Sequence, residues 1–555
     1  MKNRFFRTII FAFLAVLLSC GVCFADLLTL LPKIETEETG SYSRIAVRFT
    51  DAGKLLEDLY PSRLFEALAP MSSYFELDPL IKISNIVKAL SKSNLRGFAL
   101  LIVMDDVNSE IYDGGMIISL QDGNKTLEEA VKSGKLSLFD LVLSLGEPVL
   151  EAMKAIDDSF ADFEFERDSD GIFFYEDNYV YIEGDKIITF DTKESVLSVV
   201  DAIKSGAETS LAGLEYPNIA FLNISRKIAD TSEDLKIEIG LSYENSIWNI
   251  KTRGNVIKLM SKIRNLEQKA LEKDQEALLP IPMTGKGIPF FMIGGDTFLD
   301  DTDDIEEWLM KTGDMDLTLD WAMFLYIAKQ FGISKVDIGN MFSGSTAIIL
   351  GLDTKFFGIT MPFGGYVALT GKNGAAAQFQ SAISKALEET ATVTEPKVDE
   401  WDKVLAVRLV PGAPNVLIAQ KDETLLIGVM NPEDIESEIN TKDVGMPNER
   451  MLSWLILNTE RIWKSIRNVY SPLSGIILSG LFFEVSDSEK EAIQFARNLI
   501  NTDFPVNALN IWVPSIDELE INISMNPSPE GDFWGVFFEW LAKMFISPDS
   551  LRPPE

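Results

Sequence analysis

Residues 179–206 read YVYIEGDKIITFDTKESVLSVVDAIKSG, and this stretch decides the fold because its pattern occurs a second time. The second copy is residues 415–440, NVLIAQKDETLLIGVMNPEDIESEIN. In each copy two alternating apolar runs flank a polar turn, residues 183–186 in the first and 420–423 in the second, which is typical of a β-hairpin. The pattern predicts the same unit in both places: strand, turn, strand and helix.

Both copies predict a capped helix after the second strand. Asp191 or Thr192 in the first copy and Asn431 in the second can offer a side-chain oxygen to the free amides of a first helical turn. Pro432 follows Asn431, and proline is favoured at the first position of a helix.

Other elements of the first half also have counterparts in the second half. Predicted strands 43–50, 97–104 and 115–120 match 287–296, 345–352 and 365–370, and the closing hairpins are 235–252 and 509–524. Helix 319–330 is expected to face the core in the same way as helix 78–91, because both have apolar residues at helical spacing. The repeated order predicts an internal duplication.

A short identity joins the two halves. Leu222-Asn223 is followed by Arg226, and Leu457-Asn458 is followed by Arg461. An asparagine after an apolar run is typical of a strand end and a helix cap, so we interpret these residues as structural.

The predicted fold class is α+β, with two tandem related domains, each a twisted antiparallel sheet with helices packed on one face. The expected division of the chain is as follows: signal peptide 1–25, first domain 26–278, linker 279–287, second domain 288–530 with a helical insertion near 462–500, and an apolar C-terminal helix and tail at 531–555.

The first residues predict export to the periplasm or cell envelope of a bacterium. Basic residues precede an apolar stretch at 8–19, and Ala25 completes a small-residue cleavage site. An alternative is a lipoprotein signal with a lipid anchor at Cys20. No later stretch is long and apolar enough to cross a membrane, so a transmembrane protein is not expected after signal removal.

Composition excludes several kinds of chemistry. The chain has no histidine, and its two cysteines are Cys20 and Cys23, inside the predicted signal. A Ser-His-Asp triad, a cysteine nucleophile and an ordinary zinc site are therefore excluded. The net charge of −35 disfavours nucleic acid as a partner.

No cofactor is predicted, with calcium as the alternative at one acidic stretch. Residues 296–307, DTFLDDTDDIEE, crowd carboxylates that calcium would neutralise, but they lack the Asp-x-Asp-x-Asp-Gly order. Acidic residues in a first helical turn are also favoured by the helix dipole.

The C-terminal stretch 532–546, DFWGVFFEWLAKMFI, is apolar on nearly every side of a predicted helix. Such a helix needs a cover, which burial in its own chain, a partner's groove or a membrane surface could supply. The predicted ligand or partner contacts in this stretch are Phe533, Trp534, Phe537, Phe538, Trp540 and Leu541.

The order of elements carried by IAVRFTDAGKLLEDL, GFALLIVMDD, GGMIISLQDG and residues 179–203 resembles that of exported bacterial proteins grouped in a family of unknown function. The resemblance implies a hairpin followed by a helix in each half, and it implies no catalytic residue.

These observations favour an exported, non-enzymatic binding or scaffold protein that holds a protein partner or apolar ligand between its two domains. One alternative is a carrier of lipid or another apolar ligand. A second is a hydrolase that uses only carboxylates, for which two acids suffice and for which the sequence nominates no pair. No catalytic, cofactor or metal residue is predicted.

Overall fold

The structure is a computed structural model. It describes residues 42–49, 92–105, 111–121, 124–155, 163–205, 220–227, 234–254 except 245, 283–296, 315–408 except 357 and 389–391, 414–440, 443–446, 451–478 and 503–526 except 516, with single residues in 85–90, 302–309 and 490–500. The chain divides into two compact units: unit 1 is residues 1–256 with 524–555, and unit 2 is residues 257–523. Each combines antiparallel sheet with helices, as expected for an α+β protein.

Unit 1 has one long antiparallel sheet. Its strands lie in the order β5-β6-β7-β8-β3-β2-β1-β9-β10-β11, and every neighbouring pair is antiparallel. The strands are β1 (Tyr42–Phe49), β2 (Leu95–Asp105), β3 (Ile111–Leu120), β4 (Leu136–Ser137), β5 (Glu164–Arg167), β6 (Phe173–Tyr175), β7 (Asn178–Glu183), β8 (Lys186–Phe190), β9 (Ala220–Lys227), β10 (Asp234–Glu244) and β11 (Ile247–Gly254).

The described helices of unit 1 begin at polar caps. Asn124 accepts a hydrogen bond from the amide of Leu127, Ser137 forms a capping box with Asp140, and Thr192 accepts from the amide of Ser195. The helices are α1 (Lys125–Ser133), α2 (Leu138–Leu145), α3 (Glu147–Lys154) and α4 (Lys193–Lys204).

The sheet of unit 2 has the order β15-β16-β17-β18-β14-β13-β12-β19-β20, again antiparallel throughout. Matched in chain order, these strands repeat the neighbour relations of β5 to β8, β3, β2, β1, β9 and β10. The strands are β12 (Phe291–Asp296), β13 (Ser345–Phe356), β14 (Ile359–Thr370), β15 (Val393–Thr394), β16 (Lys403–Val407), β17 (Val416–Lys421), β18 (Thr424–Val429), β19 (Ser453–Leu457) and β20 (Val506–Ser515); a further strand, β21, is Glu518–Met525.

Unit 2 has longer helices. They are α5 (Met315–Gln330), α6 (Lys335–Phe342), α7 (Ala375–Glu388) and α8 (Thr459–Leu478). Helix α8 lies in the connection between β19 and β20, residues 458–505, whereas β9 and β10 are joined by residues 228–233 alone. The predicted insertion near 462–500 therefore includes one described helix.

Two clusters of buried side chains hold unit 2 together on opposite faces of its sheet. The inner face carries Met292, Ile349, Tyr366, Trp454 and Trp512, which pack with residues of the connecting segments. Gly294 allows this packing, because a Cβ there would lie 2.5 Å from the Trp454 ring. On the other face, helices α6 and α7 pack on the strands β16 to β18.

The repeated unit that opens the sequence is only partly repeated in structure. Both hairpins form, but the second turn is Lys421–Thr424, one residue later than predicted, with Asp422 at positive φ where the first copy has Gly184. The predicted second helix is wrong: a three-residue 3₁₀ turn, Pro432–Asp434, takes its place.

Tertiary hydrogen bonds explain this missing helix. The Asn431 side chain makes no cap; its amide donates to Thr354 and Asp434, both at 3.1 Å. The chain beyond the turn then bonds to the segment before β12, since the amide of Gly285 donates to the carbonyl of Ser437 at 2.7 Å. These contacts satisfy backbone groups that a helix would otherwise use.

The prediction for the Asn-Arg identity is confirmed in the second half only. Asn458 Oδ1 accepts from the amide of Arg461 at 2.9 Å and so caps α8. In the first half the same residues lie inside β9, where Asn223 pairs with Ala46 and Arg226 with Ser43. The strand therefore continues through the predicted end.

Among the described helices, none is both long enough and apolar enough to cross a membrane.

Replacing Asn458 by alanine removes the cap of α8. We expect the free energy of unfolding to fall by about 1 kcal/mol, because one helical amide loses its acceptor. Urea unfolding followed by circular dichroism measures this, and Asn458→Ser, which keeps an acceptor oxygen, should recover most of the loss. Equal stability of Asn458→Ala and the parent chain would contradict the capping role.

Candidate functional site

The candidate site is an apolar surface on the outer face of the unit 2 sheet, which is the face opposite Met292 and Tyr366. A cross-strand row runs over it in register: Ile293 pairs with Ile348, Ile348 with Val367, and Val367 with Ile427. Because directly paired residues point to the same side, these four side chains form one strip across four strands. Each is 36–39% exposed.

A second row lies beside the first. Leu350 and Val429 are also more than a third exposed, and Gly365 sits between them in the register. A Cβ at Gly365 would lie 2.9 Å from the Leu350 side chain, so glycine leaves a shallow gap between the two. The outer face is thus an aliphatic surface two rows deep.

The helices of unit 2 cover only one end of this face. Leu425 and Ile418 lie on the same face and are buried under α6 and α7, whereas Ile427, two residues along β18 from Leu425, is exposed. Side chains two apart on a strand share a face. The boundary between covered and exposed residues therefore falls within single strands, at the edge of the helix layer.

A polar group closes the other end of β13. Gly351 has φ +87° and forms a bulge, where a Cβ would overlap the Phe290 ring. Just beyond, Asp353 Oδ1 accepts from Arg461 Nη2 at 2.7 Å. This ion pair ties the start of α8 to the end of the strand.

A second network fixes the segment before β12. The Thr284 amide donates to the Tyr366 hydroxyl at 3.0 Å, and Lys286 Nζ lies 2.8 Å from the buried Asp434 carboxylate. Burial raises the pKa of Tyr366, and its bond from Thr284 lowers it only in part. The hydrogen bond from Lys286 to Asp434 raises the pKa of that lysine. Residues 283–287, within the predicted linker, are thus held inside unit 2.

Helix α5 carries a second exposed apolar surface. Its contacts with the core come from Trp321, Leu325 and Ala328, spaced four and three residues apart. The prediction that this helix faces the core with all its apolar residues is wrong. Several point to solvent: Met315, Leu319, Met323, Phe324, Tyr326 and Ile327.

In unit 1 the strongest polar cluster is structural. Asp168 Oδ1 accepts from the amides of Asp170 and Ile172, both at 2.9 Å, in the turn between β5 and β6. Lys193 Nζ, in the first turn of α4, lies 2.8 Å from Asp168 and also contacts Asp170. Asp168-Ser169-Asp170-Gly171 is therefore the turn that its sequence predicts, with Gly171 at φ +83°.

The pKa values of this cluster follow from its contacts. Partial burial raises the pKa of Asp168, but the hydrogen bonds from Lys193 and from the two amides outweigh burial and leave the pKa below its ordinary value. The hydrogen bonds to Asp168 and Asp170 raise the pKa of Lys193.

The predicted calcium stretch is described only at a few residues. Asp296 accepts from the Ser345 hydroxyl at 2.8 Å, and Lys335 lies 2.7 Å from Glu306 and 3.5 Å from Asp303. Among the described residues no group of three or more acidic side chains is arranged to hold a metal ion.

The predicted contact residues of the C-terminal helix, Phe533, Trp534, Phe537, Phe538, Trp540 and Leu541, lie outside the described residues, as does the predicted signal with Cys20. The exposed rows on the sheet were missed from the sequence. Their signal was present, since alternate residues of β12, β13, β14 and β18 are apolar on both faces, where a one-sided sheet would have polar residues on one face.

No protein-family model, curated protein or solved structure matches the chain. The resemblance to a family of exported bacterial proteins stays a prediction.

Replacing Lys193 by glutamine removes the cation from the Asp168 turn, and we expect the free energy of unfolding at pH 7 to fall. Because the folded-state pKa of Asp168 is lowered, its contribution is present above the ordinary aspartate pKa of about 3.9 and is lost as the pH falls below it. The difference between variant and parent should therefore shrink between pH 5 and pH 2, on the order of the usual window for such a group. Urea unfolding at several pH values measures it, and a difference that grows toward low pH would contradict the assignment.

Proposed function

We propose that this protein is a non-enzymatic binding protein and that the outer face of the unit 2 sheet receives an apolar ligand or partner. The observation that supports the proposal is the in-register row Ile293, Ile348, Val367 and Ile427, exposed on four adjacent strands. A contiguous apolar surface on a folded domain is typical of a binding surface.

The energy available at this face is adequate for binding. Full burial of an aliphatic side chain contributes roughly 1.5–3 kcal/mol, so covering the exposed third of each side chain contributes roughly 0.5–1 kcal/mol. Six side chains, those of the row with Leu350 and Val429, take part. The sum is enough to offset a substantial part of the entropy lost on association.

A carrier of lipid is the second candidate. The exposed residues of the two rows are all aliphatic, and Gly365 opens a gap between Leu350 and Val429. An acyl chain needs an apolar surface of this kind and no specific polar contact. The geometry of the described residues offers no comparable support for the carboxylate hydrolase, and Asp168, with its lowered pKa, is committed to a turn.

The wider setting of the proposal comes from the sequence. We propose two like domains that arose by duplication, which the matching strand orders of the two units support. Export, by the predicted signal at 1–25, belongs to the same proposal.

Nile red, an uncharged dye that fluoresces in apolar surroundings, tests the outer face. The double substitution Ile348→Thr with Val367→Thr keeps β-branched side chains and adds polar groups, and we expect it to weaken the Kd for the dye about tenfold. Val336→Thr is the matched control, since Val336 is exposed on α6, away from the rows. An unchanged Kd in a folded double variant would remove the outer face as the binding surface.

Displacement separates the two candidates. Oleate should displace Nile red from the parent chain if the protein carries lipid, and native mass spectrometry should then show bound lipid after purification. If oleate displaces none of the dye, the carrier is excluded and a protein partner remains.

A further inference from the structure

We propose a second interaction surface: the solvent-facing stripe of α5 is a docking site for a basic amphipathic helix of a partner protein. The stripe is Leu319, Met323 and Tyr326, with Met315 one turn before. This inference does not depend on the outer face of the sheet, because it concerns the opposite side of a helix that covers part of that face.

The stripe and the core contact of α5 are matched in spacing and opposite in direction. Trp321, Leu325 and Ala328 face the core, and Leu319, Met323 and Tyr326 repeat the same four-and-three spacing two residues earlier. Two residues of α-helix turn the direction by about 200°. The helix therefore has one apolar stripe toward its own core and a second toward solvent.

The solvent stripe is far more exposed than the sheet rows. Leu319, Met323 and Tyr326 are 62%, 58% and 66% exposed, and Met315 is 72% exposed. A surface helix of a globular protein normally has polar residues on this side. Two methionines within the stripe add adaptable side chains, which suit binding surfaces.

The spacing favours a helix as the occupant. Residues four and three apart make a seam into which the side chains of a second helix interdigitate. From Met315 to Tyr326 the seam rises about 17 Å, since each residue adds about 1.5 Å, and this length matches about three turns of a partner helix.

Charge selects the kind of helix. Residues 296–320 contain ten acidic residues and one lysine, and the whole chain has a net charge of −35. Asp320 is exposed on α5 next to Leu319. This field attracts a helix with basic flanks and repels an acidic helix or an anionic lipid surface.

Three synthetic 14-residue peptides test the proposal on the full chain. The first has leucines at helical seam positions and lysines elsewhere, the second replaces lysine by glutamate, and the third scrambles the first so that no seam remains. Fluorescence anisotropy in 150 mM salt should show that the first peptide binds at least about tenfold tighter than either of the others.

Substitutions locate the binding. Leu319→Gln with Met323→Gln should weaken binding of the first peptide at least about tenfold, because both apolar contacts are lost. Val336→Gln is the control, an equally polar change on a separate exposed residue. Circular dichroism confirms that the variants fold.

Four results would overturn the proposal. Equal binding of the scrambled peptide would assign the interaction to charge alone, and an unchanged Kd in the double variant would place it elsewhere. A dimer that light scattering detects in the parent chain and that the double variant abolishes would assign the stripe to a second copy. Tighter peptide binding after deletion of residues 527–555 would assign it to the chain's own C-terminal stretch.

Discussion

The structure of unit 2 depends on the two-residue period of its central strands. The period places Met292, Ile349 and Tyr366 on the inner face, where they form a buried core with Trp454 and Trp512. The same period directs the intervening residues of those strands outward. Since those residues are also apolar, the sheet has a hydrophobic surface on both sides, and the helices are too few to cover the outer one completely.

This constraint connects several features that otherwise look unrelated. The helix layer of α6 and α7 ends within β18, so Leu425 is buried and Ile427 is not. The Asp353–Arg461 pair and the Lys286–Asp434 pair fix the far end of the strands, and Gly294 and Gly351 allow close packing between them. The backbone under the exposed rows is therefore held in place from both ends, which favours a preformed binding surface over one that folds around its ligand.

The hairpins and most of the polar turns could be predicted from the sequence. Alternation fixed the strands of residues 179–190 and 415–429, and Asp168 and Asn458 were placed correctly in a turn and a cap because each acts on backbone within four residues. Local chemistry could not give the 3₁₀ turn at Pro432, because the contacts that replace the helix come from Gly285 and Thr354, remote in sequence. Apolar periodicity also could not tell which stripe of α5 meets the core, since both stripes have the same spacing.

The central claim is that the outer face is open to solvent in the folded protein while the inner face is closed, and maleimide labelling of adjacent single cysteines tests it most directly. In a chain with Cys20→Ser and Cys23→Ser, we predict rapid labelling of Ile348→Cys and slow labelling of Ile349→Cys, because position 349 lies in a close-packed core. Val367→Cys should label as Ile348→Cys does. Protection of positions 348 and 367 equal to that of position 349, in a chain that circular dichroism shows to be folded, would contradict the account.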